Sequence, residues 1–337
     1  MKLQFYVARR VVLLIPVLLG VTFITFALTR ILPGNPIDKI AGPFVSAERK
    51  AEISRDYGLD DPFYVQYATY VEALFHGDLG RSLVSGVPIS DELSNRFAAT
   101  FELTTTALLI ALVVAVPLGV VAALRKDTWV DGVARIIAIG GVSIPVFWSG
   151  LMLSLFLFYR WGIAPPPIGR IDPQIGAPNH ITGLYTIDSL LTGNWAAFVS
   201  AVKTLWLPAS VMGFSVMAPI MRLVRQGMIE ALEAPSTTAL EALGARPASV
   251  VLRHALKNAL MPVVTMLAIV YGYLLGGSVL VEFIFSWPGM GLYAYNSIAA
   301  NDFPAVQGFI LYATTMYVVV FLLLDLVYLA LDPRVKY

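Results

Sequence analysis

The chain has 337 residues, of which 58% are apolar and only 13% are charged, whereas a typical globular domain has about 25% charged residues. Its net charge of +1 gives no broad basic field for nucleic acid, and the absence of cysteine excludes disulfides, iron–sulfur clusters and thiolate metal sites. The three histidines, His76, His180 and His254, lie far apart and show no spacing typical of a metal site.

Six stretches contain no charged side chain, and each is long enough to cross a bilayer. As helices they would cover roughly 27–36 Å, the thickness of a hydrocarbon core. The stretches are 11–29, 103–124, 136–159, 204–221, 258–281 and 303–324. This pattern predicts an all-α integral membrane protein with six transmembrane helices.

The first predicted span, 11–31, follows a predicted cytoplasmic N-terminus, 1–10, that contains Lys2, Arg9 and Arg10. A signal peptide would have a shorter apolar region and a small-residue cleavage site, and this run has neither. We therefore predict an uncleaved transmembrane helix in preference to a signal peptide or a twin-arginine signal.

The segment 32–102 is predicted to be a folded external region. Asp60-Asp61-Pro62 predicts a helix with Pro62 as its first residue, and Gly77 predicts its end. This helix carries an aromatic face formed by Phe63, Tyr67, Tyr70 and Leu74. We predict that the face packs on neighbouring helices, with a surface for an external partner as the alternative.

The second and third predicted spans, 103–124 and 136–159, precede an external loop at 160–203. Four prolines lie within predicted spans, where proline kinks a helix and frees backbone groups, namely Pro117, Pro145, Pro208 and Pro219. Residues 190–202 of the loop are moderately apolar and are predicted to lie at the membrane interface.

The rest of the chain is predicted to alternate between short connections and spans. The elements are span 204–224, cytoplasmic loop 225–258, span 259–282, external loop 283–302, span 303–328 and cytoplasmic C-terminus 329–337. Basic residues such as Arg125, Lys126 and Arg222 concentrate at the ends that this topology places inside, so both termini are predicted to be cytoplasmic. Glu282 and Asp325 lie near span ends, where we expect interfacial pairing or solvation.

The loop 225–258 has the pattern of two helical pieces at an angle. Ser236 predicts the cap of a short helix at about 237–243, Gly244 predicts its end, and Pro247 predicts the start of a second helix. The short helix either rests on lipid headgroups or is gripped by a partner, and the pattern alone leaves both interpretations open.

Two stretches, one within this loop and one that runs from it into the next span, resemble the ATPase-docking loop of ABC importer permeases. They are 238–244 (Thr-Ala-Leu-Glu-Ala-Leu-Gly) and 253–265 (Arg-His-Ala-Leu-Lys-Asn-Ala-Leu-Met-Pro-Val-Val-Thr). More narrowly, the chain resembles the dipeptide/oligopeptide/nickel permease family. Further similar motifs lie at 32–36, 57–62, 77–82, 143–147, 276–291 and 331–334. The chain departs from the family in having Thr238-Ala239-Leu240 where Glu-Ala-Ala or Thr-Ala-Arg is frequent, and in the length of the loop 160–203.

The resemblance implies a type I ABC importer permease bundle with an external N-proximal helical region, the B-type permease of a pair, in a bacterial or archaeal cytoplasmic membrane. Its implied partners are a second homologous permease in a heterodimer, two ABC ATPase subunits or a fused pair, an external solute-binding protein and membrane lipid. ATP and Mg would be bound by the ATPases, since this chain has no Gly-x-x-x-x-Gly-Lys-Ser/Thr loop and no implied cofactor. The implied cargo is a di- or oligopeptide, with nickel or another small solute as the alternative.

The resemblance also implies a coupling helix at about 236–244 that receives the motion of the ATPases. The residues assigned to it and its continuation are Thr238, Ala239, Leu240, Glu241, Ala242, Leu243, Gly244, Arg253 and His254.

Polar or bent positions deep in the spans are candidates for the translocation path, with helix packing as the alternative. They are Ser143, Pro145, Ser215, Tyr271, Tyr273 and Ser278. No catalytic or metal-binding residue is predicted. A secondary transporter would usually have buried ionisable groups, a membrane enzyme would have clustered catalytic side chains, and a structural subunit would not explain the docking-loop similarity.

Overall fold

A computed structural model describes residues 3–31, 46, 48, 55 and 60–331. Within the first and last helices, side chains are described for residues 12–29 and 303–323. The motifs at 32–36, 57–59 and 332–334, the two chain ends and the side chain of Asp325 lie outside the described residues.

The described residues form eleven helices and contain no β-strand, only an isolated bridge between Arg81 and Pro88. The helices are α1 (Leu3–Ile31), α2 (Phe63–Phe75), α3 (Ile89–Leu124), α4 (Trp129–Ser143), α5 (Val146–Arg160), α6 (Tyr185–Leu191), α7 (Trp195–Glu233), α8 (Pro235–Ala242), α9 (Pro247–Ile284), α10 (Met290–Ala299) and α11 (Phe303–Leu331). The all-α prediction is confirmed.

Five of the described helices are long and apolar enough to cross a membrane, namely α1, α3, α7, α9 and α11. A sixth span results only if α4 and α5 are counted together, because the chain bends by 101° between them. The third predicted span, 136–159, is thus two helices rather than one kinked helix.

The position of the break follows from Pro145. A proline disfavours helical backbone at the residue before it, and Ile144 has an extended ψ of 124°. Pro145 itself has a ψ of 132° and precedes the first residue of α5. By contrast, Pro117, Pro208 and Pro219 lie inside helices that continue through them.

Helix α7 is longer than the predicted span 204–224. It has 39 residues, which corresponds to about 58 Å, and its first turn is capped by Asn194, whose Oδ1 accepts from the Ala197 amide at 3.1 Å. The predicted interfacial segment 190–202 is therefore divided between the end of α6, a turn, and the start of α7.

The described residues fold as two compact units, one comprising those up to Phe97 together with Leu292–Leu322. In this unit the aromatic face of α2 packs on α1, as predicted: Phe63 and Tyr67 lie 5.3 and 5.5 Å from Phe26 between ring centroids. Helix α2 begins one residue later than predicted, because Pro62 is its N-cap. Its end at Gly77, with φ +77°, is confirmed.

The second unit is built mainly from Ala98–Gly291, and α7 is its central helix. Helix α7 packs against α4 and α9 at glycines that allow close contact. A Cβ at Gly141 of α4 would clash with the Phe214 carbonyl oxygen, and a Cβ at Gly227 would lie 2.9 Å from the Ala259 Cα of α9. These contacts fix the helices that carry the candidate site.

Candidate functional site

The short helix of the loop 225–258 begins directly after α7. Ala234 joins the two helices as N-cap, with ψ 143°, and Pro235 is the first residue of α8. The prediction that Ser236 caps this helix is wrong, since Ser236 lies inside its first turn. Proline is favoured at the first helical position because its φ is already helical and its missing N–H needs no partner there.

Helix α8 ends as predicted. Gly244 has φ +80°, its amide donates to the Glu241 carbonyl at 2.9 Å, and the Ala245 amide donates to the Leu240 carbonyl at 3.1 Å. Pro247 then begins α9, with Arg246 as N-cap, which is also as predicted. Between residues 250 and 255 the helix has π-helical hydrogen bonding before it continues as a regular α-helix to Ile284.

Two contacts hold α8 and its attachment point in place. The buried Thr237 donates from Oγ1 to the Ala231 carbonyl of α7 at 2.6 Å. The Lys126 ammonium, in the turn between α3 and α4, lies 2.9 Å from Glu233 Oε1 at the end of α7. The hydrogen bond and the charge of Glu233 raise the pKa of Lys126. Helix α8 is therefore anchored to the rest of its unit at its N-terminal end.

The remaining side chains of α8 are largely uncovered. Thr238, Ala239, Glu241 and Ala242 are exposed, and Leu240 is half-buried. Leu243 is 84% exposed, the highest value among the large apolar side chains that the structure describes. On α9, Arg253 is exposed, whereas His254 is half-buried with an Nε2 atom that has no hydrogen-bond partner among the described residues.

A buried ion-pair cluster lies at the same end of α7. Asp131, in the first turn of α4, is completely buried, and the Arg225 guanidinium of α7 donates to both of its carboxylate oxygens at 2.8 Å. Arg135 lies 3.3 Å from the same carboxylate, and the Asp127 amide donates to it at 3.3 Å. This cluster was not predicted from the sequence, although a lone acid at the start of an apolar helix was a usable signal.

The cluster and Gly141 together fix α4 along α7. Asp131 pairs with Arg225 at one end, and Gly141 meets Phe214 further along. The Asp131–Arg225 and Gly141–Phe214 contacts are separated by about 15 Å along α4 and by about 17 Å along α7. The contact that comes first along α4 comes second along α7. Helix α4 therefore runs antiparallel to α7 as one rigid pair, up to the break at Ile144–Pro145.

The six predicted path residues do not converge on one place. Tyr271 and Ser278 are buried in the packing of α9: the Tyr271 hydroxyl lies 3.0 Å from Thr105 Oγ1, and Ser278 donates to the Leu275 carbonyl at 3.0 Å. Ser215 is half-buried and donates to the Met212 carbonyl at 2.7 Å. The other three, Ser143, Pro145 and Tyr273, are exposed.

Tyr273 belongs to a continuous exposed stripe on α9. The residues recur at helical spacing and are Thr265, Ile269, Tyr273, Gly276 and Leu280. Ile269, Tyr273 and Leu280 are 56%, 59% and 51% exposed. We call this set the α9 stripe. Of these residues only Tyr273 was predicted from the sequence, because the 3.6-residue period shows which residues share a face but not which face is covered.

Glu282 corrects a further prediction. It is completely buried rather than interfacial, and Thr100 of α3 donates to its Oε1 at 2.7 Å. The chain turns back after α9, so that a Cβ at Gly289 would lie 2.5 Å from Glu282 Oε2. Trp287 Nε1 donates to the Ala99 carbonyl at 2.9 Å in the same region. Within the described part of the chain, no three side chains of His, Asp or Glu lie together as metal ligands would.

Comparison with known proteins gives matches over nearly the whole chain. Residues 115–337 match the family described as "Binding-protein-dependent transport system inner membrane component", and residues 2–104 match the N-terminal region of such membrane components. The "Probable D,D-dipeptide transport system permease protein DdpB" of Escherichia coli K12 is 42% identical over 96% of this chain and 94% of its own length. The "Dipeptide transport system permease protein DppB" of Alkalihalophilus pseudofirmus is 40% identical, and the "Glutathione transport system permease protein GsiC" of Salmonella choleraesuis is 32% identical, each over 98% of this chain and 99% of its own length.

Proposed function

The chain belongs to the family of inner membrane components of binding-protein-dependent transport systems, and from that premise we propose that it forms half of the translocation path of a peptide-importing ABC transporter. A second, similar permease supplies the other half in a heterodimer. Di- or oligopeptides arrive on an external solute-binding protein. Their assignment as cargo is supported by the dipeptide permeases among the relatives.

The observation that carries the proposal is the anchored and uncovered helix α8. Thr237 and the Lys126–Glu233 pair fix its attachment, while Leu243 extends from its C-terminal end with 84% of its surface exposed. An apolar side chain in that position is stabilised when a partner covers it. We assign that cover to the ATPase subunits, which bind ATP and Mg and close around them.

The mechanism that follows is mechanical. Closure of the ATPases displaces α8, and the turn at Gly244 transmits the displacement to α9. The Asp131–Arg225 pair transmits it to α4, since α4 and α7 are held at both ends of their contact. The break at Ile144–Pro145 is the point where α4 can change its angle to α5. This motion alternates the access of the path between the two sides of the membrane.

The α9 stripe is the part of the path that this chain offers. It is exposed within the described residues, it combines a hydroxyl at Thr265 and a phenol at Tyr273 with the open backbone at Gly276, and it carries no fixed charge. Such a lining suits peptides of varied sequence, because selection is left to the external binding protein. Placing both chain ends in the cytoplasm orients α8 towards the ATPases.

A reconstituted transport assay tests the function. The chain, a second permease, the ATPases and the binding protein are placed in liposomes, and uptake of a labelled dipeptide is compared with uptake of nickel. We expect dipeptide uptake that depends on ATP and on the binding protein. Nickel uptake in place of peptide uptake would assign the alternative cargo, and uptake driven by an ion gradient without ATP would indicate a secondary transporter.

A further inference from the structure

The break between α4 and α5 removes main-chain polar groups from regular helical hydrogen bonding. The last carbonyls and the first amides of a helix have no partner within that helix. At the end of α4 these are the carbonyls of residues 141–143, since the Ile144 amide still donates to the Gly140 carbonyl at 3.1 Å. At the start of α5 they are the amides of residues 146–148. Pro145 is the N-cap there, and no side chain of the described residues caps these amides.

The break lies inside the hydrocarbon layer rather than at its surface. The stretch 204–221 of α7 is uncharged and covers about 27 Å as a helix, close to the thickness of the hydrocarbon core. Gly141 of α4 packs on Phe214, near the middle of that stretch, and the break follows Gly141 by about one helical turn. Because α4 runs antiparallel to α7, the break is level with a point about 10 Å inside the end of the stretch at residue 204.

Lipid is an unsuitable cover for the break. An N–H or C=O group without a hydrogen bond is strongly unfavourable in hydrocarbon, so non-helical backbone at membrane depth occurs only where protein buries it or where it lines a water-filled cavity. The break is not buried within the described residues, since Ser143, Pro145 and Phe147 are all exposed. Its polar groups therefore meet either water or another chain.

A cavity of about 380 Å³ provides space for water beside the break. It lies in the angle between the two helices, because Ile137 of α4 and Ser149 and Leu153 of α5 line it together with residues of α3 and α7. The Ser149 hydroxyl donates to the Val146 carbonyl at 2.8 Å and can still accept a hydrogen bond from water, and Ser210 of α7 adds a second hydroxyl. The volume is far above the roughly 10–15 Å³ that one water molecule requires.

Helix α5 relates the break to the α9 stripe. A Cβ at Gly150 of α5 would lie 3.4 Å from the ring of Phe285, the residue that ends α9. Leu280, the last residue of the stripe, precedes Phe285 by about 8 Å along α9, and Pro145 precedes Gly150 by about the same distance along α5. The break and the outer end of the stripe are therefore both close to one contact between helices.

We propose that the α4–α5 break lines the water-filled part of the translocation path and extends the path beyond the α9 stripe. This inference rests on the proposed function, which requires a path for peptides through the membrane. Water satisfies the main-chain groups of residues 141–143 and 146–148. The wall is then polar at membrane depth without a fixed charge, which suits peptides of varied sequence.

Thiol labelling of single cysteines tests whether the break is in contact with water, since the chain has no cysteine of its own. Ser143→Cys is compared with Leu109→Cys, which is 55% exposed on the continuous helix α3 and lies about 9 Å inside the uncharged stretch 103–124. Both are treated, as assembled complexes in proteoliposomes, with a small charged methanethiosulfonate. This reagent reacts with the thiolate, which forms in water but not in hydrocarbon, so we expect Ser143→Cys to react at least about tenfold faster. Reaction of Ser143→Cys as slow as that of Leu109→Cys would overturn the proposal and assign the break to a covering subunit or to lipid.

A transport measurement on the labelled protein separates this inference from the proposed function. Unlabelled Ser143→Cys should take up dipeptide, and the bulky charged label should block that uptake. Fast labelling that leaves uptake unchanged would overturn the assignment of the break to the path but would leave peptide import intact. Failure of the unaltered complex to import any peptide would contradict the proposed function, whereas the labelling rates would still decide whether water reaches the break.

Discussion

Arg225 binds Asp131 through two hydrogen bonds of 2.8 Å, one to each carboxylate oxygen, although the two residues are 94 positions apart in the chain. Arg225 lies near the C-terminal end of α7, about three helical turns before α8 begins, and Asp131 lies at the start of α4. The pair therefore connects α7, which leads directly into α8, with α4, which ends at the Ile144–Pro145 break.

Loss of this pair should uncouple transport. Asp131→Asn leaves Arg225 and Arg135 without their counter-charge, so we expect the free energy of unfolding to fall by roughly 2–3 kcal/mol. We also expect fewer dipeptides taken up per ATP hydrolysed, measured in proteoliposomes and normalised to assembled complex. Arg225→Lys keeps the positive charge but loses the planar guanidinium that donates to both carboxylate oxygens. It should show the same coupling defect with a smaller loss of stability.

Gln226→Ala is the control for this cluster, because it removes an exposed side-chain hydrogen bond to Glu230 within α7, next to Arg225. Its uptake per ATP should stay close to that of the unaltered chain. If Asp131→Asn and Arg225→Lys also kept the normal ratio, the pair would have no part in coupling.

The turn after α8 depends on glycine. Gly244 has φ +80°, a conformation that a β-branched residue adopts only with strain, so Gly244→Val should change the angle between α8 and α9. We expect membrane insertion to be retained while peptide uptake and transport-stimulated ATP hydrolysis are lost. Gly193 has φ +67° and equally open surroundings, but it lies between α6 and α7. Gly193→Val should therefore introduce similar strain without loss of coupling.

The turn after α9 should be sensitive to a single added methyl group. A Cβ at Gly289 would lie 2.5 Å from both Glu282 Oε2 and Thr100 Oγ1, two atoms of a buried polar cluster. We expect Gly289→Ala to destabilise the protein by about 1–3 kcal/mol, seen as a lower midpoint of thermal inactivation in detergent. Gly276→Ala adds the same group in open space on α9 and should leave the midpoint nearly unchanged. Equal effects of the two variants would show that the cluster is not rigid.

The connection 181–188 should lose stability in acid. Burial of Asp188 disfavours the charged form of its carboxyl group. The carboxylate accepts hydrogen bonds from the Thr182 hydroxyl and from the amides of Ile181, Thr182 and Gly183, and these outweigh burial and lower the pKa of Asp188. A carboxyl group with a lowered pKa contributes stability that is fully present above its unfolded pKa of about 3.9 and is lost as the pH falls through the folded value.

Limited digestion with pepsin, which is active in acid, measures this loss. Cleavage within 181–188 should rise steeply below about pH 4 in the unaltered chain. In Asp188→Asn the carboxylate is absent at every pH, so digestion should be fast throughout and show no such step. A step of the same size in both proteins would assign the acid sensitivity to another group.

Much of the fold could be predicted because its signals are local. Uncharged runs gave the helices that can span a membrane, and the conformational preferences of Gly244 and Pro247 gave the end of α8 and the start of α9. The cap at Ser236 was predicted wrongly because Pro235 supplies an equally good helix start one residue earlier. The break at Pro145 was underestimated, since a proline that breaks a helix looks the same in sequence as Pro208, over which α7 continues.

The contacts within the candidate site could not be predicted, because they join residues far apart in the chain. Nothing near Asp131 indicates Arg225, and nothing near Glu282 indicates Thr100. The candidate path residues were chosen for polarity, but a hydroxyl in a membrane helix is satisfied equally well by its own backbone, as for Ser278, or by a neighbouring helix, as for Tyr271. Only the packing distinguishes these from the exposed Tyr273.

The most direct test of ATPase coupling through α8 is a cross-link from Leu243. The chain has no cysteine, so Leu243→Cys introduces a unique thiol. We predict that a bifunctional thiol reagent joins this residue to an ATPase subunit in the assembled complex and that the cross-link blocks peptide uptake until it is cleaved. Labelling of the same thiol by a membrane-impermeant reagent added outside intact cells, or an uptake rate unaffected by the cross-link, would contradict the mechanism.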